Sequence, residues 1–166
     1  YGLRIADIGR LKKDKDIIAR FFKEYNAAFQ TVRNFVPFTD KEIAEEGGNY
    51  IDRLDDGLSC IVLDGDGGIA AFGICIPSLS RALQKARGHL LPLGWWHLLQ
   101  AQRHYDTVDM MMVGVSPQWR NKGLSAIIHA HLGRIWQQHG VRWCISNPQF
   151  EDNDALKVWE TYGEKE

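Results

Sequence analysis

Residues 115–125 read Val115-Ser116-Pro117-Gln118-Trp119-Arg120-Asn121-Lys122-Gly123-Leu124-Ser125, a basic turn that contains one glycine. The run before this turn, residues 108–115, is rich in strand-forming side chains. After it, apolar residues recur at helical spacing, namely Ala126, Ile127, Ile128, Ala130, Leu132, Ile135 and Trp136. We therefore predict that a strand enters the turn and that a helix leaves it.

The start of this helix is suited to binding an anion. The first N–H groups of a helix lack an internal partner and lie at the positive end of its dipole. About four charge-assisted hydrogen bonds would contribute ~6–12 kcal/mol gross, whereas association itself costs ~4–15 kcal/mol. A phosphate held only by the turn would therefore bind weakly. This comparison favours a diphosphate whose long arm also contacts the strand.

The turn resembles the acetyl-CoA loop of the GCN5-related N-acetyltransferases (GNAT), Gln/Arg-x-x-Gly-x-Gly/Ala. The matching residues are Arg120-Asn121-Lys122-Gly123-Leu124-Ser125, with a serine in place of the last small residue. Pro117 and Trp119 before the arginine extend the likeness, as does Glu151-Asp152-Asn153 ahead of an apolar helix. Leu91-Pro92-Leu93-Gly94 is similar to a segment of a mostly uncharacterised bacterial branch.

The resemblance implies an α/β fold in which helices flank a central mixed sheet whose fourth and fifth strands splay apart. The alternation of strands, helices and one hairpin along the chain favours the same fold class. We expect a single domain over residues 1–166. Because the family normally adds two strands after its last helix, we expect this chain to lack them.

The resemblance also implies acyl-CoA binding and acyl transfer to a primary amine, most simply an acetyl group from acetyl-CoA, with no metal ion. On this basis the loop residues named above hold the diphosphate. Val113 and Val115 would pair with the pantetheine arm through their backbone and polarise the thioester carbonyl. Asn153 would contact the pantetheine or cap its own helix. The resemblance does not identify the acceptor, which we expect to be a small-molecule amine or an amino-acid-like molecule.

Asp109 is the candidate general base. An amine with a pKa near about 10.4 is almost fully protonated at pH 7, so a group must take its proton. Asp109 lies among Met110, Met111, Met112 and Val113, and a carboxylate in apolar surroundings is a stronger base. Asp109 lies eleven residues before Arg120. Histone-modifying members of the family resemble this arrangement, with a glutamate base at the same spacing. The alternative is that Asp109 pairs with a surface cation such as Arg103.

Tyr162 is the candidate acid for the thiolate that leaves. Many relatives use a tyrosine in the helix that follows their fifth strand, and Tyr162 is the only tyrosine in the helix expected over residues 153–162. It lies about two positions later than the resemblance requires. A packed aromatic residue is the other interpretation.

Two other functions can be weighed against the same residues. A non-catalytic sensor or interaction module that binds CoA or an acylated ligand would keep the loop without a base. A nucleotide P-loop is disfavoured because residues 120–125 lack its Gly-x4-Gly-Lys-Ser/Thr arrangement.

The composition limits the classes of molecule that this protein is expected to bind. The chain has 166 residues, 45% of them hydrophobic, and a net charge of −1, so general attraction to nucleic acid or anionic lipid is not expected. No stretch approaches the ~20 apolar residues of a membrane span. Cys60, Cys75 and Cys144 lie in strand-like apolar runs, which predicts buried free thiols and a cytoplasmic location. A homodimer remains open.

The remaining pattern supplies the other elements. We predict strands over residues 3–8, 58–63, 69–76 and 141–146. We predict helices that begin near Asp14 or Asp16, at the capping box of Thr39 and Glu42, at residue 79 and at Gly123. Trp95, Trp96 and His97 either wall a pocket, act as a lid or cover one face of the sheet.

Overall fold

The computed structural model describes residues 2–54 and 57–147. Within them, five strands form one sheet in the order β1 (Arg4–Asp7), β2 (Cys60–Leu63), β3 (Ile69–Pro77), β4 (Thr107–Val115) and β5 (Trp143–Ser146). Neighbouring strands are antiparallel except β4 and β5, which run parallel. The mixed sheet expected from the sequence is confirmed.

The same residues contain five α-helices, α1 (Lys15–Phe29), α2 (Asp40–Asp52), α3 (Ser80–Ala86), α4 (Gly94–Arg103) and α5 (Leu124–Gln138). The expected caps are formed. Asp14 accepts hydrogen bonds from the N–H groups of Asp16 (2.9 Å) and Ile17 (3.3 Å), which begins α1. At α2, Thr39 and Glu42 form both bonds of the capping box.

A hydrophobic core lies on each face of the sheet. On one face, α1 and α2 contribute Ile18, Phe21, Phe22 and Ile51 to a cluster with Phe72 and Ile74 of β3. On the other face, α5 contributes Leu124, Ile128 and Leu132 to a cluster with Cys60, Ala71 and Val108. The sheet is thus covered on both sides, so the accessible part of β4 is its edge.

Two glycines set how closely these layers approach. A Cβ atom on Gly73 would lie 2.7 Å from Cγ2 of Ile128, and one on Gly114 would lie 2.8 Å from Cε1 and Cε2 of Phe72. Neither position leaves room for a side chain. The α5 helix can therefore pack directly on β3, and the tip of the Phe72 ring can reach the backbone of β4 at Gly114.

The segment between β3 and β4 differs from the sequence expectation. The sequence predicts a single short helix over residues 79–86, and the structure adds α4. Trp95 and Trp96 are 45% and 48% exposed, so the interpretation that they cover the sheet is wrong. The physical reason is that α4 packs on α3: Gly94 approaches the His89 carbonyl too closely to carry a side chain, and the tryptophans face away.

Candidate active site

The edge of β4 is open along its second half. β5 pairs only with residues 107–110 of β4, from Thr107 opposite Trp143 to Met110 opposite Ser146. Just beyond that pairing, the Asn147 side-chain amide donates to the Met111 carbonyl at 2.9 Å. Farther along, no residue of the described ranges pairs with this edge of β4 up to Val115. The two strands therefore part after Met110, as expected for the fold.

Val113 and Val115 lie in this open half of β4. Their side chains are half-buried and pack against the α5 core, so only their backbone is placed to meet a ligand at the edge. A peptide-like arm could add to the edge through backbone hydrogen bonds, as a neighbouring strand would. The role implied for both residues stays a prediction.

The turn after β4 ends in a helix start without a side-chain cap. A 3₁₀ turn, Pro117–Trp119, follows β4, and Asn121 and Gly123 both adopt left-handed backbone with φ of 59° and 78°. Gly123 is the N-cap of α5 and offers no side-chain acceptor to the first N–H groups of the helix. A Cβ on Gly123 would meet nothing within 4 Å, so the backbone angle rather than space requires glycine here.

The side chains of the turn have different surroundings. Lys122 Nζ lies 4.5 Å from the centre of the Trp119 ring, a cation–π contact. Leu124 is buried in the α5 core and anchors the helix start. The Ser125 hydroxyl lies 3.4 Å from Nδ1 of His129, which is also 2.7 Å from the Ser125 carbonyl oxygen. The sequence from residue 110 to residue 150 contains no Asp or Glu, so the segment that forms the turn carries no negative charge of its own.

Two residues of the turn, Ser116 and Arg120, form hydrogen bonds to α1. The Ser116 hydroxyl lies 2.6 Å from the Glu24 carboxylate and 2.7 Å from the Ile69 carbonyl. Arg120 Nη2 donates to the Ala28 carbonyl at 2.9 Å. Glu24 and Ala28 are one helical turn apart on α1. Arg120, which the sequence predicts to contact phosphate, thus also ties the turn to α1, a contact that sequence reasoning missed.

Asp109 lies in the middle of the sheet rather than at a solvent end. It is opposite Ile76 of β3 and Ile145 of β5. Its Oδ1 is buried and accepts no hydrogen bond from any described residue. The alternative that Asp109 pairs with a surface cation such as Arg103 is wrong for the described part of the chain, where no ion pair involves it. The carboxylate therefore has one buried oxygen that no described residue satisfies.

A cavity of about 1020 Å³ lies on the same side of β4 as Asp109. α3, α4, the first residue of β4 and the edge of β5 enclose it, through Thr107, Trp143 and Ile145 among others. Thr107 is two residues before Asp109 and therefore shares its face of the strand. Ile145 is the register partner of Asp109. Of the residues predicted around a pocket, His97 lines this cavity, whereas Trp95 and Trp96 do not.

In the part of the chain that the structure describes, Asp106 is the one carboxylate that lines this cavity. The Thr107 hydroxyl donates to it at 2.8 Å, and this bond, with the nearby Arg81 guanidinium, lowers the pKa of Asp106 from its ordinary value. Arg81 Nη1 lies 3.4 Å from the carboxylate. Asp106 is therefore held in its charged form, and its carboxylate is already bonded to Thr107 and Arg81. Sequence reasoning missed this pair, although the absence of acidic residues from 67 to 105 was visible in the sequence.

The cysteines do not supply a nucleophile. Cys60 and Cys75 are buried as expected, whereas Cys144 is exposed because β5 is the edge strand of the described sheet, so the expectation of a third buried thiol is wrong. Burial raises the pKa of Cys60 to about 12. Although Cys144 as a residue is exposed, desolvation of its sulfur, with the Asp109 carboxylate nearby, raises its pKa to about 11.

Replacing Cys144 with alanine is expected to change the acyl transfer that the resemblance implies by less than about twofold, because a thiol with so high a pKa is almost entirely protonated at neutral pH. Steady-state turnover of the variant with acetyl-CoA and an amine checks this. Its counterpart is Cys75→Ala, in which a buried side chain is truncated and stability falls instead. A large loss of turnover in a well-folded Cys144→Ala protein would indicate a covalent acyl-enzyme.

Two predicted site residues, Asn153 and Tyr162, lie outside the described residues. Their roles remain predictions. In the described ranges, no three His, Cys, Asp or Glu side chains come together as a metal site, and no helix is long and apolar enough to cross a membrane.

This arrangement of sheet, splayed edge and helix start is the GCN5-related N-acetyltransferase fold. A GCN5-related N-acetyltransferase from Sphaerobacter thermophilus superposes with a TM-score of 0.64 at 15% identity over 98% of this chain and 43% of that one. AAC(6')-Iy in complex with the bisubstrate analogue CoA-S-monomethyl-acetylneamine gives 0.58 at 16% identity, over 100% and 92% of the two chains.

The sequence is more distant from characterised families. No family model matches it. A curated relative is Protein YghO of Escherichia coli strain K12, 25% identical over 128 residues, which are 76% of this chain. The match spans only 32% of the length of YghO.

Proposed function

We propose that this protein is an acyl-CoA-dependent N-acyltransferase that moves an acyl group, most simply acetyl from acetyl-CoA, to a primary amine by direct attack. The observation that carries the proposal is a coincidence of two features at one end of the sheet. The β4 edge opens after Met110, and it leads to the uncapped, glycine-started helix α5. One elongated ligand with a diphosphate can use both.

The helix start would hold the diphosphate. The N–H groups from Gly123 to Ser125 have no side-chain cap, and the left-handed Asn121 and Gly123 shape the turn around them. Phosphate oxygens would complete these hydrogen bonds at the positive end of the dipole. Lys122 and Arg120 add positive charge beside them. The solved structure with a CoA bisubstrate analogue supports CoA as the ligand of this fold.

The open β4 edge would hold the rest of the coenzyme. The pantetheine arm carries amide groups that can pair with the backbone of residues 112–115 as a strand does. A backbone N–H at the end of that pairing would donate to the thioester oxygen and stabilise the oxyanion that forms on attack. The thioester carbon then lies near Met110 and Asp109, where β4 and β5 separate.

Asp109 would take the proton from the attacking amine. The amine nitrogen forms a bond to the thioester carbon, and the C–S bond breaks to release the CoA thiolate. The proton that Asp109 accepts returns to solvent, and the thiolate is protonated by Tyr162 or by water. A thiol of this kind, with a pKa near about 8.5, requires only a moderately acidic donor.

The non-catalytic sensor is the second candidate. Both functions keep the diphosphate site, but only the enzyme releases free thiol from acetyl-CoA in proportion to acylated amine. We would measure both products across a broad panel of primary amines, by thiol titration and mass spectrometry. Coenzyme binding without amine acylation across that panel would favour the sensor.

Replacing Gly123 with alanine is expected to weaken acetyl-CoA binding by about fivefold to thirtyfold, because a side chain in left-handed backbone costs roughly 1–2 kcal/mol and the turn would relax away from its binding shape. Isothermal calorimetry with acetyl-CoA measures the effect. Gly133→Ala in the same helix is the matched control, since its Cβ would meet nothing within 4 Å and its backbone is helical. If the full-length wild-type protein showed no binding at millimolar acetyl-CoA, the transferase proposal would fail.

A further inference from the structure

The insertion between β3 and β4 has an unusual charge pattern. From residue 67 to residue 105 the sequence contains no Asp or Glu, whereas it contains four basic residues and three histidines. The whole chain, by contrast, has a net charge of −1. This segment includes α3 and α4, the two helices that enclose the cavity beside Asp109.

The basic residues of the insertion concentrate on the cavity. Three cations and three imidazoles line it, namely Arg81, Lys85, Arg103, His97, His104 and His139. Among the described residues, Asp106 is the only carboxylate in the lining, and Arg81 already pairs with it. Lys85 and Arg103 have no acidic partner within residues 2–54 and 57–147. The cavity therefore holds positive charge that the described protein does not neutralise.

The cavity also has an apolar side. Trp143 and Ile145 of β5 line it and are 60% and 51% exposed. Ile145 is opposite Asp109 in the strand register, so the cavity lies beside the pair of strands that carries this carboxylate, although Asp109 itself does not line it. The coenzyme opening lies in the other direction along β4, from Met111 to Val115. An amine at Asp109 would thus meet the thioester from one side and extend into the cavity on the other.

We propose that this cavity is the acceptor site and that it selects a primary amine that also carries a carboxylate or phosphate group. The inference rests on the proposed transferase function. The amine lies at Asp109, and the anionic group lies toward α3 and α4, where Lys85 and Arg103 bind it. Trp143 and Ile145 contact the apolar part between the two ends. A neutral or cationic amine would leave these two exposed cations to solvent and would gain no charge-assisted hydrogen bond from them.

The test compares ω-amino acids of increasing chain length with n-alkylamines of the same length, using acetyl-CoA as donor. We expect kcat/KM to favour the amino acid by roughly tenfold to hundredfold at one chain length, the ratio that one charge-assisted contact supplies. Phosphoethanolamine against ethanolamine separates phosphate from carboxylate as the anion. Lys85→Gln and Arg103→Gln should each reduce the preference at least about fivefold, mainly through KM. Lys41→Gln, on the exposed surface of α2, is the matched control and should keep it.

A binding measurement makes the outcome independent of turnover. Calorimetry would compare the N-acetyl ω-amino acid of each length with the neutral N-alkylacetamide. Preferential binding of the acid, weakened in Lys85→Gln and Arg103→Gln, supports the site even if no amine is acylated, a case in which only the transferase function would fail. Acylation of alkylamines and amino acids with equal kcat/KM would overturn the acceptor inference and leave the transferase function standing. If the protein acylated no amine and did not bind the acid, both the acceptor inference and the transferase function would be overturned.

Discussion

The Asp109→Asn variant is expected to lose acyl transfer by about 10²- to 10³-fold in kcat/KM, the range for removal of a general base. Asparagine has nearly the same size as aspartate, so packing between Ile76 and Ile145 should persist. The amide cannot accept the amine proton as a carboxylate does. Coenzyme affinity should stay within about twofold of the wild type, because the diphosphate contacts lie at the start of α5.

Steady-state kinetics with a single amine acceptor, together with calorimetry for acetyl-CoA, separate these two effects. Asp66→Asn is a suitable control, since Asp66 lies exposed in the turn between β2 and β3. Activity in Asp109→Asn should also recover partly as pH rises, when more of the amine is already neutral. Undiminished turnover at neutral pH would remove Asp109 from the mechanism and leave the proton to solvent.

Gly114→Ala is expected to destabilise the protein by ~3 kcal/mol, near the upper end of the usual cost of overpacking a core. The new Cβ would lie 2.8 Å from two ring carbons of Phe72. Phe72 is fully buried, and its ring contacts Phe21, Tyr25 and Phe29 at centroid distances of 5.0, 6.1 and 6.1 Å. The ring therefore cannot move aside without disturbing the aromatic cluster.

A glycine-to-alanine substitution in α5 should instead increase the stability of the protein. Gly133→Ala adds a Cβ in open space at a helical position and should stabilise the protein by ~1 kcal/mol through helix propensity. In thermal unfolding, we expect Tm to fall by roughly 6–12 °C for Gly114→Ala and to rise by roughly 2–4 °C for Gly133→Ala. Urea titrations with unchanged m-values would confirm that both effects are on stability. A Gly114→Ala protein as stable as the wild type would show that β4 can shift away from Phe72.

Local signals in the sequence predicted most of the elements. The side chain of Asp14 and the Thr39–Glu42 capping box begin helices through bonds of short sequence separation, so their pattern can be read without the fold. The turn over residues 64–68 is similar, because the Asp64 carboxylate accepts from the N–H groups of Asp66 and Gly68. Such contacts depend on neighbouring residues alone.

Features that depend on tertiary packing could not be predicted in the same way. The exposure of Trp95 and Trp96 follows from the packing of α4 on α3, which periodicity does not determine. The exposure of Cys144 follows from the place of β5 at the edge of the described sheet. In both cases an apolar residue type favours burial, but the position of its element in the fold decides the outcome.

The candidate site was predictable in part for the same reason. Asp109 could be chosen because a carboxylate in an apolar strand is unusual, and the structure leaves its Oδ1 buried without a donor. The partner of Arg120 could not be chosen, since Ala28 is 92 residues away and contributes only a backbone carbonyl. The cationic cavity is formed by α3, α4 and β5, which are distant in sequence. Only the absence of Asp and Glu from residue 67 to residue 105 could be recognised in the sequence.

The two contacts between the turn and α1 have a consequence for coenzyme affinity. Glu24 holds Ser116 before the turn, and Ala28 holds Arg120 within it. The turn is thus preorganised by a helix that need not contact the coenzyme at all, and less conformational entropy is lost when a ligand binds. Sequence changes on that side of α1 would alter the dissociation rate of the coenzyme from a distance. Attempts to change the affinity for the proposed coenzyme should therefore vary Glu24 and Arg120, whose side chains make these contacts, together with the rest of the turn.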